Sequence, residues 1–180
     1  RVVFSDMTWT EGTLLGYDQD VDIAILSFSN EVANQTLRVS PLGSSASLTK
    51  GTTIVASGHP KGYDFYGTFT MGTVSGVNRT VPWDEVVAYI QHDASINSGN
   101  SGGPIYNLDG EVVGINVSKF ITEDIDGMGF AIPIDQVKSI ETSIRRIGGS
   151  FTDTYYRYED GTVEIEDYIL GRSSVTGFVT

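Results

Sequence analysis

The stretch INSGNSGGP, residues 96–104, sets Ser101 among three glycines and two asparagines. A serine that attacks an amide needs a sharp backbone excursion, so that its hydroxyl protrudes and neighbouring N–H groups converge on the developing oxyanion. Glycines permit such a path. Gly99, Asn100 and Ser101 therefore form a candidate oxyanion segment in which the N–H groups of Gly99 and Ser101 face one point, while Gly102 and Gly103 leave room for a substrate chain. The same residues satisfy Gly-x-Ser-x-Gly, the nucleophile elbow of α/β-hydrolases, but that elbow runs directly into a helix. Here Pro104 and the hairpin-like YNLDGEVVGIN follow.

Serine is a weak nucleophile at its ordinary pKa and needs an adjacent base, usually histidine. The chain holds two histidines, His59 and His92. His59 sits in the turn-like SGHPKG and would give the chain order Asp, His, Ser, which one protease fold uses. His92, in IQHDA, reads as a structural or pocket-rim side chain.

The elements that must position these groups are strands. Residues 1–4, about 8–16 and 21–28 read as strands, the last with Ile23, Ile25 and Phe28 as its apolar positions. Residues 52–80 give a further strand, a turn region around Pro60, and a glycine-punctuated strand pair. VVAYIQHD is another strand, and Asp109-Gly110 predicts a two-residue hairpin turn. GMGFAIPI is one more strand. The segment DQVKSIETSIRRIGG alone looks helical: Val137, Ile140, Ile144 and Ile147 recur at spacings of three and four, and Gly148-Gly149 supplies a stop.

Composition agrees with an all-β domain. The 180 residues include 21 glycines, nine tyrosines, eight phenylalanines and no cysteine, so folding does not depend on disulfides. A formal net charge of −12 disfavours nucleic acid and anionic lipid, whose binding relies on Lys and Arg displacing counterions. Proteins or peptides are the expected partners. No apolar run approaches the roughly 20 residues of a membrane-spanning helix, and no metal-ligand spacing is visible, so neither a metal nor another cofactor is expected.

Taken together, IQHDASINSGNSGGPIYNLDGEVVGIN and GMGFAIPIDQVKSI closely resemble the chymotrypsin-like serine proteases of the HtrA/Deg branch. EGTLLGYDQDVDIAILSF resembles the strand that bears that family's orienting aspartate, and LGSSASLTKGTTIVASGHPKG its stretch between the two barrels. The resemblance covers residues 1 to about 147. It implies a double β-barrel with a C-terminal helix: residues 1–40 in the first barrel, 41–133 mainly in the second, and the helix at 134–147, within a protease domain of residues 1–150. Residues 151–180 form a tyrosine-rich, acidic tail.

Carried over by position, the resemblance makes Ser101 the nucleophile and Asp22 the aspartate that holds the histidine in its productive tautomer. Asp18 and Asp20 read instead as carboxylates of a solvated turn, because the pairing aspartate should abut the buried run that follows. Ser95, six residues before the nucleophile, falls at the base of the primary pocket, and Ile115, Asn116 and Val117 supply the facing strand. With no carboxylate there, the expectation is cleavage after small or medium aliphatic residues. The family's histidine precedes its aspartate, and residues 1–21 contain none, so the resemblance implies that the base lies before Arg1. Without it the chain is inactive, or is a peptide-binding or scaffold module. SSVTGFVT in the tail is similar to the family's opening strand, so residues 163–180 either complete an otherwise incomplete first barrel, in permuted order or from a neighbouring chain, or form an unrelated hairpin or the start of a linker. Trimerisation and an extracytoplasmic location are further implications of the resemblance.

Overall fold

The computed structural model describes residues 1–29, 37–60, 62–82, 84–117 and 127–147, with short segments at 156–157 and 163–164. In chain order, ten strands of the described residues precede the α-helix and two short strands follow it. The first lobe contains two antiparallel pairs: β1 (Val2–Val3) with β2 (Trp9–Thr10), and β3 (Gly12–Asp18) with β4 (Ile23–Phe28). Phe4 and Phe28 join the two sheets, their ring centroids 5.8 Å apart.

The second lobe is a closed barrel of six strands. They are β5 (Thr53–Gly58), β6 (Thr68–Val81), β7 (Asp84–His92), β8 (Pro104–Tyr106), β9 (Val112–Val117) and β10 (Gly129–Pro133). Side chains alternate between the two faces of each strand. On β10, Ala131 joins a cluster with Ile54, Ala56, Val74, Ile90 and Ile105, whereas Phe130 and Ile132 join a second cluster. That second cluster ties the lobes together, because it also contains Val21 and Ile23 from the first lobe and Ile134 and Ile140 from helix α1 (Ile134–Ile147). Burying four such aliphatic side chains contributes roughly 1.5–3 kcal/mol each.

Three local expectations change, the first being that the strand expected over about 8–16 is broken at Glu11 into β2 and β3, which pair in different sheets. The glycine-punctuated pair is one continuous 14-residue strand, β6, whose register against β7 shifts around Gly76 and Arg79. Gly76 and the left-handed Asn78 (φ 53°) bulge the strand instead of reversing it. The hairpin between β8 and β9 is longer than two residues. Asn107 N–H donates to the Glu111 carbonyl, and the Asn107 side-chain oxygen accepts from Asp109 N and Glu111 N at 3.0 and 2.9 Å. This leaves Leu108, Asp109 and Gly110 as a three-residue loop, with Gly110 left-handed at φ 78°.

The helix follows its apolar periodicity: Ile140 is buried and Val137 packs on the same cluster, while the side chains of Ile144 and Ile147 lie outside the described residues. Asp135 in its first turn accepts from the Ser44 and Ser45 hydroxyls, both at 2.9 Å, and from Ala46 N at 3.0 Å. The connection between the lobes is thereby fixed to the helix start. Within the tail, β11 (Tyr156–Arg157) pairs with β12 (Val163–Glu164). Of residues 163–180 only Val163 and Glu164 are described, and they pair within the tail; the expected completion of the first barrel by the remainder lies outside the described residues.

Candidate active site

The serine loop joins β7 to β8 and leaves the regular ladder. Asn100 N donates to the Asn97 carbonyl and Gly103 N to the Asn100 carbonyl, each at 3.0 Å, so the chain makes two successive tight turns around Ser101. Gly99 and Gly102 are left-handed, with φ 105° and 79°. A Cβ at 99 would lie 2.2 Å from the His59 carbonyl oxygen, and one at 103 would lie 2.1 Å from that of Ser57. Space forbids a side chain at both positions, and at Gly99 the dihedral angle does so as well. Ser101 is half-buried, and Asn100 is buried against the end of β5 at Gly58. Its Oδ1 has no hydrogen-bond partner among the described residues.

Asn116 clasps this loop. Its carbonyl accepts from Gly102 N at 3.0 Å, and its N–H donates to the Gly103 carbonyl at 2.8 Å. Strand register explains its second contact: Gly129 faces His92 and Ala131 faces Asn116, so His92 and Asn116 share one face of the sheet two positions apart. His92 Nε2 meets Asn116 Oδ1 at 3.1 Å, with both residues almost wholly buried. Since Oδ1 can only accept, Nε2 carries the proton and Nδ1 is left as an acceptor. Nδ1 has no partner among the described residues. Burial pulls the His92 pKa below the usual 6.5, outweighing the Asn116 bond and the Asp93 charge. His92 is thus a structural side chain behind the loop.

Asp22 occupies a left-handed position (φ 65°) at the turn before β4, flanked by the buried Val21 and Ile23. Asp18 builds that turn, its Oδ1 accepting from Asp20 N at 3.0 Å and Val21 N at 3.1 Å; Asp20 is exposed. Asp22 is half-buried, and its charge reaches Tyr89 on β7. Burial raises the Tyr89 phenol, its 2.5 Å hydrogen bond to Asp84 raises it further, and the Asp84 and Asp22 charges add to the shift. The first-lobe aspartate is thus near enough to the second barrel for its charge to be felt at Tyr89. Val21 and Ile23 share a cluster with Ile115 and Val117, the residues on either side of Asn116, so one apolar cluster underlies both the Asp22 turn and the strand that clasps the serine loop.

Of the other pocket candidates, Ser95 is exposed and its carbonyl accepts from Thr70 Oγ1 at 3.0 Å, while Ile115 and Val117 are buried in the cluster between the lobes. His59 sits beside the serine loop, a placement its turn-like sequence did not signal. Its N–H donates to the Gly99 carbonyl at 3.0 Å, its Nδ1 accepts from Gly67 N at 2.9 Å, and its ring stacks on Tyr66 with centroids 4.2 Å apart. A neutral imidazole that accepts at Nδ1 carries its proton on Nε2, so that nitrogen is a donor and not a base. Among the described residues, no group of three or more His, Cys, Asp or Glu side chains gathers to hold a metal ion.

A closed β-barrel, a glycine-shaped serine loop and a buried aliphatic joint to a second β lobe define a trypsin-like serine peptidase. A family described as the trypsin-like peptidase domain matches residues 1–115. The chain belongs to that family, in its HtrA branch. It is 42% identical over 145 residues to the serine protease Do-like HtrA of Bacillus subtilis (strain 168), covering 78% of this chain and 32% of that protein. It is 38% identical over 156 residues to a serine protease HtrA-like protein of Staphylococcus haemolyticus (strain JCSC1435), covering 82% of this chain and 24% of that one. The chain thus spans a third or less of these curated relatives.

Solved structures agree. The HtrA-type protease AlgW with a decapeptide superposes with a TM-score of 0.71 at 32% identity, over 81% of this chain and 44% of AlgW. Deg5 gives a TM-score of 0.64 at 35% identity, over 83% of this chain and 68% of Deg5.

Proposed function

We infer that this chain is the catalytic domain of an endopeptidase that cleaves proteins or peptides by acyl transfer through Ser101. The Ser101 hydroxyl attacks the scissile carbonyl and loses its proton to a histidine base contributed from outside the 180 residues. The N–H groups of Gly99 and Ser101, on either side of Asn100, stabilise the oxyanion, and collapse of the tetrahedral intermediate expels the amine as the base returns the proton. Asp22 orients that histidine and stabilises its charged form. Water then releases the acyl group by the same steps in reverse roles.

The observation that carries this reading is the serine loop, held by Asn116 at Gly102 and Gly103 and forced through a left-handed Gly99. Nothing in a purely structural β domain calls for that backbone. By the family resemblance, Ser95 and the backbone of the strand Ile115, Asn116 and Val117 bound the primary pocket, which takes small or medium aliphatic residues. The AlgW structure named with a decapeptide supports a peptide as the ligand class. Further copies of the chain are proposed partners as well, in a trimer, and Phe69 and Met71, two apart on β6 and 63% and 69% exposed, support a self-contact. An extracytoplasmic setting is proposed from the family.

A second reading is a peptide-binding module without catalysis. It is favoured by the two histidines themselves, since His92 is buried behind the loop and His59 accepts at Nδ1. A fluorophosphonate separates the two readings. It should label Ser101, identified by mass spectrometry, in a chain extended by a histidine-bearing N-terminal segment; peptide binding without labelling would establish the module.

A further inference from the structure

His59 makes three contacts that lie in series. Its ring nitrogen Nδ1 takes the Gly67 N–H at 2.9 Å, its ring stacks on Tyr66 within 8° of parallel, and its own N–H fixes the Gly99 carbonyl at 3.0 Å. The segment around the 3-10 turn Gly62–Phe65 is thereby fastened to one imidazole, whose backbone holds the Gly99–Asn100 peptide between the two oxyanion donors. The fit is tight, since the His59 carbonyl oxygen stands only 2.2 Å from where a Cβ on residue 99 would fall.

We propose that His59 is a positioning residue of the serine loop: its neutral imidazole anchors the Gly67 backbone and so keeps the His59 N–H on Gly99, and protonation of Nδ1 releases this anchor. The reason is elementary. An imidazolium has two N–H donors and no acceptor, so it repels the Gly67 N–H that the neutral ring accepts. Around the ring, Tyr66, the residue after the 3-10 turn, supplies the stack, Asp64 lies within that turn two residues before it, and the serine loop offers the Gly99 backbone, which carries no charge. Lys61, two residues on, has its side chain outside the described residues. Partial burial holds the ring below the ordinary histidine value of 6.5, in keeping with a fold that selects the neutral form. That Gly99 serves an oxyanion rests on the protease reading; the anchor itself does not.

The test is NMR of the 180-residue chain across the titration of the His59 Cε1–H resonance, assigned by its loss in His59→Asn. The Gly67 amide shift should follow that titration, and hydrogen-exchange protection of the His59 amide, corrected for intrinsic rate, should fall by about tenfold or more as the ring protonates. His59→Asn places an amide oxygen near the Nδ1 position and should keep the protection at every pH. His59→Phe keeps the stack without an acceptor and should lose the protection at neutral pH. Protection that ignores the ring titration in the unmodified chain would overturn the proposal, whatever the variants do. A fluorophosphonate that never labels Ser101 would count against the protease reading and leave these amide readouts unchanged, so the two failures are distinguishable.

Discussion

His92 donates through Nε2 to Asn116 Oδ1 at 3.1 Å inside the barrel, directly behind the strand whose backbone clasps Gly102 and Gly103. A buried polar pair thus stands behind the serine loop. It specifies the orientation of Asn116, and it is costly to break because either partner left alone becomes an unsatisfied buried group.

The pair gives the protein a pH-dependent stability. Burial lowers the folded-state pKa of His92 below 6.5, so between the two values the unfolded chain binds more protons and stability rises with pH. Acidification below about pH 6.5 should therefore lower the urea midpoint. His92→Gln retains a donor near Nε2 and cannot titrate, so its midpoint should be flatter over the same range. A variant as steep as the parent would refute this.

Replacing Gly99 by alanine combines a left-handed φ of 105° with a Cβ 2.2 Å from a backbone oxygen. The cost should be roughly 2–4 kcal/mol, local to the serine loop. Circular dichroism should stay native-like while fluorophosphonate labelling of Ser101 is lost in the histidine-extended chain. Labelling at the parental rate would show that the loop tolerates another path.

Asp22→Asn keeps size and removes charge. In the same extended chain it should slow labelling of Ser101 by roughly three to four orders of magnitude, as expected when a triad histidine loses its orienting carboxylate. Asp18→Asn, whose amide oxygen can still accept from Asp20 N and Val21 N, should change labelling little. Equal rates for Asp22→Asn and the parent would remove Asp22 from the proposed triad.

The hairpin offers a test free of chemistry. Asn107→Ala deletes the acceptor for Asp109 N and Glu111 N and should cost about 1–2 kcal/mol in denaturant unfolding. Gly110→Ala has open space around its Cβ but a φ of 78°, so about 1 kcal/mol of backbone strain should be its whole effect.

The exposed pair on β6 predicts behaviour in solution. Phe69→Ser with Met71→Ser should lower the mass measured by light scattering if this face meets further copies of the chain. A mass unchanged from a multimeric parent would place the self-contact elsewhere.

Sequence by itself determined the strand-rich class, the helix over 134–147 and the serine loop, because each is written in local pattern: alternation, a spacing of three and four, and glycines crowded around one hydroxyl. Short-range chemistry also misled in two places. Gly76 punctuates β6 without turning it, since a bulge costs less than a reversal in a strand paired on both edges, and the Asn107 side chain lengthens a hairpin whose Asp-Gly pair alone suggests two residues. Only the tertiary structure decided what the histidines touch. His59 and Gly99 are 40 residues apart, and His92 and Asn116 are 24 apart; barrel closure and strand register set those encounters, and no local spacing encodes them.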